Sequence, residues 1–151
     1  MSENKKIVVG SDHAGFEMKE HVKDYLKEKG IEFEDVSAQQ YDSQDDYTTY
    51  AFKVAEGVSK GNYERGILLC GTGIGASIAA NRFRGIRAAL CTSPEMARMS
   101  RLHNDSNVLV MGGRTTPADV VEKMIDAWLS SNFEGGRHQR RIQQMDDAPI
   151  M

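Results

Sequence analysis

Ile67-Leu68-Leu69-Cys70-Gly71-Thr72-Gly73-Ile74-Gly75-Ala76-Ser77 is an apolar run that ends in a cysteine and passes into a glycine-rich turn. The helical-looking segment Ile78-Ala79-Ala80-Asn81-Arg82 follows. The order of residue types predicts a buried strand, a tight loop and a helix N-terminus. Glycines at alternate positions, Gly71, Gly73 and Gly75, free the backbone to turn several N–H groups into one small space. The helix start adds partial positive charge there. A thiol at the mouth of such a nest suits thiolate chemistry or the stabilisation of an anionic intermediate.

Outward from this stretch the chain alternates. Upstream, Ile7–Gly10 predicts a first buried strand and Ser11–Gly15 a loop. Phe16–Lys29 carries apolar residues near helical spacing, with Lys and Glu between them, and Gly30 stops it. Ile31–Val36 predicts a polar edge strand, Ser37–Thr49 a long polar loop, and Tyr50–Lys60 a second helix. Downstream, Ile86–Leu90 and Asn107–Met111 predict two more strands. Between them, Ser93-Pro94-Glu95 opens a helix running to about Leu102. Pro117 opens a last helix to about Ser131, and the remainder reads as a polar tail. Strand and helix alternating in this way predict an α/β fold, a five-stranded parallel sheet with helices on both faces. Ligands of such sheets bind at the carboxyl ends of the strands. Asp12 and His13, Cys70 with its glycines, and Arg114 follow strands one, three and five.

At 151 residues the chain is expected to form one domain, residues 1–151. A net charge of -3 supplies no basic field for nucleic acid, and no apolar run approaches the roughly 20 residues that span a bilayer. Met1–Lys6 lacks the apolar core of a signal peptide. Two cysteines, Cys70 and Cys91, make neither a disulfide framework nor a zinc pattern, so no metal and a reducing cytoplasm are expected.

Gly71–Ala76 also satisfies G-x-G-x-x-A, a dinucleotide signature. It follows the third strand rather than the first, no acid closes the next strand, and no Walker lysine follows. A phosphatase thiolate loop needs arginine where Ala76 stands. Two readings of Cys70 remain open at this point, a buried filler and a reactive thiol. Cys91, without a glycine nest, reads as structural. His21 lies in a charged helical face and reads as solvated; Met96 and Met99 read as core or interface packing. His13 and His103, in polar loop-like surroundings near the nest, are candidates for proton transfer. The cluster Arg137, His138, Arg140 and Arg141 reads as a solvated surface or as a phosphate clamp.

Four stretches together carry a family resemblance: Gly10-Ser11-Asp12-His13-Ala14-Gly15, Cys70-Gly71-Thr72-Gly73-Ile74-Gly75, Ser100-Arg101-Leu102-His103-Asn104-Asp105 and Glu134-Gly135-Gly136-Arg137-His138. In this order and spacing they resemble the ribose-5-phosphate isomerase B family, from Lys6 to about Ile142. The resemblance implies a Rossmann-like three-layer sandwich without a cofactor, a homodimer or dimer of dimers. The implied reaction interconverts D-ribose 5-phosphate and D-ribulose 5-phosphate through a cis-enediolate, in the non-oxidative pentose phosphate pathway; isomerisation of allose 6-phosphate or galactose 6-phosphate is the alternative. By the same resemblance Cys70 is the base, and His103 the acid that opens the furanose. Thr72 and the N–H groups of Gly71, Gly73, Ile74 and Gly75 hold the reacting oxygens. Asp12, His13 and Asn104 contact the sugar, and Arg114, Arg137 and Arg141 grip the phosphate. Part of this clamp comes from the neighbouring subunit in the family, which puts the tail from about residue 134 at a dimer interface. Asp46-Tyr47-Thr48 departs from the family's Asp-Tyr-Pro, which relaxes the loop beside the sugar. A competing reading from another class is a nucleotide-binding module, which NAD or ATP would stabilise against heat.

Overall fold

The computed structural model describes residues 6–149, so the reading of Met1–Lys5 lies outside the described residues. The strands are β1 (Ile7–Ser11), β2 (Phe33–Asp35), β3 (Arg65–Cys70), β4 (Ala88–Leu90) and β5 (Val108–Gly112). They form one sheet in the order β2-β1-β3-β5-β4, with every pair parallel. The helices are α1 (Phe16–Glu28), α2 (Tyr47–Ser59), α3 (Ile74–Ala80), α4 (Pro94–Asn104), α5 (Ala118–Ser130) and α6 (Arg137–Asp147). The direction of strand addition reverses between β1 and β3, so the crevice above their carboxyl ends is the topological switch point where α/β sheets bind ligands.

Side-chain alternation along the strands divides the core into two layers. Ile7, Val9, Ile67, Leu69, Leu109 and Met111 pack under α1, α4 and α5, with Trp128 fully buried among them. Val8, Leu68, Cys70, Val108 and Val110 pack under α2 and α3, whose contacting residues are mostly alanine and valine. The Cys70 side chain therefore belongs to the α2/α3 face.

The structure departs from the sequence expectations in ways that matter for the site. α3 starts at Ile74, not Ile78, because Gly73 takes a left-handed φ of 86° and its carbonyl accepts the Ser77 N–H at 3.0 Å. The glycine turn thus feeds a helix directly. α2 starts at Tyr47, so Thr48 and Thr49 lie in its first turn and not in a relaxed loop; the missing proline costs no helix here because Asp46 already stands in the extended N-cap conformation. The tail is not irregular: Gly135 and Gly136, both at positive φ, release the chain into α6, which lays only His138 and Ile142 against the body. An almost wholly polar helix with two buried positions one turn apart gives little apolar periodicity to read. Met96 is exposed rather than core. His21 is not free in solvent; its Nε2 lies 2.7 Å from a Glu122 carboxylate oxygen, tying α1 to α5.

Lys19 is a further departure. Its spacing suggests a solvated face, yet its side chain is fully buried, 2.9 Å from Asp35 Oδ2, and donates to the Ser37 hydroxyl and the Ala38 carbonyl. Asp35 is also paired with Lys23. Hydrogen bonds from Ser37, Lys19 and Lys23 outweigh the burial of Asp35 and hold its carboxyl below the usual value. The polar character of β2 is accounted for by this buried network and not by edge exposure alone.

Candidate active site

Three strand ends build one half of the site. After β1, Asp12 Oδ1 accepts the Gly15 N–H at 3.1 Å and closes a single 3₁₀ turn, His13–Gly15. Gly15 is required there, since a Cβ would meet the Leu69 backbone at 2.9 Å. That close approach seats the His13 turn against β3.

At the end of β3, Cys70 is buried, and Gly73 donates its N–H to Sγ at 3.2 Å. The turn thus puts a main-chain donor on the sulfur. Thr72 is exposed, and its Oγ1 accepts the Ile74 N–H at 3.2 Å, which leaves the hydroxyl proton free to donate. Gly75 faces Tyr47, where a Cβ would lie 2.6 Å from the phenol ring. After β5, Gly113 donates to the Cys70 carbonyl at 2.7 Å and Arg114 to the Gly71 carbonyl at 3.0 Å, so the β3 and β5 loops are bound edge to edge. A cleft of about 380 Å³ opens alongside, lined by His13, Glu17, Met18, Tyr41, Gly113 and Arg114. Cys91, by contrast, lies under α4, and burial pushes its thiol up to about 11; it is structural.

His13 is the most strongly held side chain of this half. Its main-chain N–H and its Nδ1 both donate to Asp45 Oδ1, each at 2.9 Å. The hydrogen bond to Asp45 raises the imidazole above its ordinary value, overcoming partial desolvation; Asp12 adds to the rise and Arg114 opposes it. Asp45 was not legible as a site residue, because it lies within an acidic loop where nothing in the spacing singles it out. Tyr41 was missed for the same reason; its ring meets the His13 ring edge-on at 6.1 Å.

The remaining expected residues gather elsewhere. α4 begins just beyond the carboxyl end of β4 and runs back against the strand direction, so its last residues, His103 and Asn104, lie near the amino ends of β4 and β5. Eleven residues of helix carry them about 16 Å down the sheet from that carboxyl edge. Arg101 secures this end, donating to Asp105 at 2.9 Å and to the Ser106 carbonyl at 2.6 Å. His103 is therefore helical and not in a loop, and one protomer does not bring it to Cys70.

Around His103 a second cluster forms. Glu134 donates its N–H to the Leu102 carbonyl at 3.0 Å. The His103 and His138 rings stack with centroids 4.3 Å apart, and each Nε2 lies 3.7 Å from Glu134 Oε1. Burial, then the neighbouring His103 and Arg137, lower the His138 imidazole below its ordinary value, so at neutral pH it is an uncharged neighbour to His103. Arg137 and Arg141 project from α6 exposed, and Arg114 is exposed at the other half. None of these three arginines is in an ion pair among the described residues. Among the described residues, two groups, Asp12–His13–Asp45 and His103–Glu134–His138, bring three donor atoms within 4.8 Å of one another, and neither is assigned to a metal. The hydrogen bonds of Asp12 and Asp45 already employ the first group.

Chemically, the first half offers a thiol with a main-chain donor, a hydroxyl and an imidazole raised by its Asp45 partner, beside an arginine. The second offers an imidazole proton donor beside free arginines. An anionic substrate with an acidic carbon proton would use both.

Comparison with known proteins identifies the family. The family profile described as Ribose/Galactose Isomerase matches residues 7–145. The chain is 46% identical over 139 residues to ribose-5-phosphate isomerase B of Escherichia coli K12, covering 92% of this chain and 93% of that protein. Its structure superposes on a ribose 5-phosphate isomerase of Thermotoga maritima with a TM-score of 0.92 and 51% identity, covering 97% and 100% of the two chains. It superposes on ribose-5-phosphate isomerase B of Mycoplasma genitalium, solved with bound ribulose-5-phosphate, with a TM-score of 0.90 and 40% identity, covering 93% of each.

Proposed function

The chain belongs to the ribose/galactose isomerase family, and from that premise we propose that it interconverts D-ribose 5-phosphate and D-ribulose 5-phosphate. The observation that carries the mechanism is the Gly73 N–H donated to Cys70 Sγ at the switch-point crevice. The relatives named above favour the pentose phosphate over a hexose phosphate.

In the open-chain aldose, the Cys70 thiolate takes the proton from C2. The C–H electron pair forms the C1=C2 bond, and the carbonyl electrons pass to O1. The Thr72 hydroxyl and those main-chain N–H groups of the 71–75 turn not already given to Cys70 Sγ and Thr72 Oγ1 stabilise that oxyanion; one such donor is typically worth about 100-fold or more in rate. The proton on O2 passes to O1, the O2 electrons form the C2 carbonyl, and the C1=C2 pair takes the proton back from the Cys70 thiol onto C1, which leaves the ketose and the Cys70 thiolate. His103 donates the proton that opens the furanose, with His138 as an uncharged stacking neighbour. Asp12, His13 and Asn104 contact the sugar, and Arg114, Arg137 and Arg141 bind the phosphate.

The separation of the two halves supports a homodimer in which His103 of the partner subunit completes the site around Cys70. The exposed apolar side chains Tyr47, Phe52, Ile74 and Ile78 adjoin the Cys70 turn and supply surface for such an interface. The tail helix α6, which carries the arginines, packs at the same interface in this reading. Two unpaired cysteines suit a reducing cytoplasm, and the reaction belongs to pentose phosphate metabolism.

The test is turnover of ribose 5-phosphate by purified protein, with allose 6-phosphate alongside. Pentose phosphate turnover that Cys70→Ser nearly abolishes, with fold and substrate binding retained, is the expected result. Hexose-only turnover would overturn the substrate, and a Cys70→Ser variant with most of its activity would overturn the base.

A further inference from the structure

We infer that Asp45 is a positioning residue for this isomerisation: it fixes His13 with Nδ1 turned into the loop, so that Nε2 is the atom left for the anionic substrate beside Arg114. The inference rests on the isomerase reading for its substrate and on geometry for the rest. One carboxylate oxygen, Asp45 Oδ1, accepts both the main-chain N–H and the ring Nδ1 of His13 at 2.9 Å. An ionised carboxylate only accepts, so the partner assigns the proton to Nδ1. A residue held by backbone and ring at once has little freedom to turn its imidazole.

The loop that carries Asp45 is itself fixed. Fully buried Lys19 donates to the Ala38 carbonyl at 2.7 Å near its start. Asp46 is the N-cap of α2 at its end, and Asp45 donates its own N–H to the Asp42 carbonyl at 3.2 Å. The Asp45 side chain is 8% exposed against 26% for His13, so the carboxylate backs the imidazole from the inside.

The charges around His13 explain why a backing anion is useful. Arg114 lines the same cleft and disfavours a second cation there. Asp12, from the loop after β1, and Asp45 favour it. Glu17 of α1 and the Tyr41 phenol line the cleft as well. Two cations suit a phosphate-bearing sugar, and without Asp45 the partial desolvation of His13, with a smaller contribution from Arg114, is opposed by Asp12 alone, which shifts His13 toward its neutral form.

The experiment is Asp45→Asn, which keeps a side-chain oxygen acceptor and removes the charge. KM and kcat for ribose 5-phosphate are measured from pH 5.5 to 9. Nitrogen-15 imidazole spectra of both proteins follow the His13 tautomer and titration. Above the titration midpoint, the cationic fraction of His13 falls about tenfold for each unit by which its pKa drops. KM is therefore expected to rise up to about tenfold at pH 8 and to approach the wild-type value at pH 5.5, with kcat changed much less. A loss of structure alone would not be restored by acid. Superimposable KM profiles, a kcat loss at constant KM, or an unshifted imidazole titration would each overturn the role of Asp45. Absent turnover in the wild type would instead overturn the isomerase reading, while the spectra still decide the Asp45–His13 coupling.

Discussion

Gly73→Ala probes the glycine turn most directly. Gly73 has φ +86°, and an added Cβ would lie 2.5 Å from Leu90 Cδ1, 3.2 Å from the Met111 carbonyl carbon and 3.4 Å from Gly112 N. The left-handed backbone costs an L-residue about 1–2 kcal/mol. The Leu90 methyl can move but the β5 backbone cannot, so overpacking adds about 1–2 kcal/mol, the lower part of its usual range. The sum, about 2–4 kcal/mol, corresponds to a Tm lower by roughly 5–15 °C in a chain of this size. Gly85 supplies the internal control, with φ +79° and nothing within 4 Å of an added Cβ. Gly85→Ala is expected to show the backbone cost alone, with kcat unchanged. In Gly73→Ala the N–H donor on Cys70 Sγ moves, and kcat is expected to fall about 100-fold. Urea denaturation of the three proteins measures the first quantity and initial rates the second. A Gly73→Ala protein as stable as Gly85→Ala, with kcat close to wild type, would refute both the packing argument and the role of the Gly73 donor.

Two further outcomes test the shared site. Mixing inactive Cys70→Ser with inactive His103→Asn protein, after dissociation and reassembly, is expected to restore about a quarter of wild-type activity, because half the dimers are mixed and each holds one intact site; no restoration would refute completion of the site across subunits. Ile78→Glu puts a charge on a residue 63% exposed beside the Cys70 turn; sedimentation is expected to show smaller species with lost activity, and an unchanged assembly would remove α3 from the interface.

What the sequence makes legible follows from the range of the interactions involved. β3 and its turn are local: an apolar run, a cysteine and spaced glycines specify strand, nest and helix start within eleven residues. The centre of the parallel sheet is legible for the same reason, since β1, β3 and β5 are buried on both faces and read as apolar runs. Lys19 is not legible, because its burial depends on Asp35, Ser37 and Ala38, which only folding brings to it. Asp45 needs His13 from 32 residues away. α6 is marked by glycines at its start but has only His138 and Ile142 to anchor it, too few apolar positions to register as a helix. His103 was legible as a reactive type but not as to place. Its address depends on the direction α4 takes across the sheet, which the residues around it do not encode.

That direction has a consequence for the assembly. A right-handed parallel crossover must return each helix toward the amino ends of the strands before the next strand begins. A residue on the last turn of α4 is therefore held away from the carboxyl-end crevice by the same topology that builds the crevice. Sliding α4 to bring His103 to Cys70 would tear Arg101 from Asp105 and Ser106 and Glu134 from the Leu102 carbonyl. A second copy avoids that cost. In a two-fold interface, contact of one protomer's Cys70 turn with its partner's α4 end brings the reciprocal contact at no further specification. In the proposed dimer, two complete sites arise from one surface, with the arginines of α6 set to reach the substrate's phosphate from across it. The division of the residues between the two ends of the sheet is the ground on which the proposed dimer becomes part of the active site, and the mixed-variant experiment tests that proposal directly.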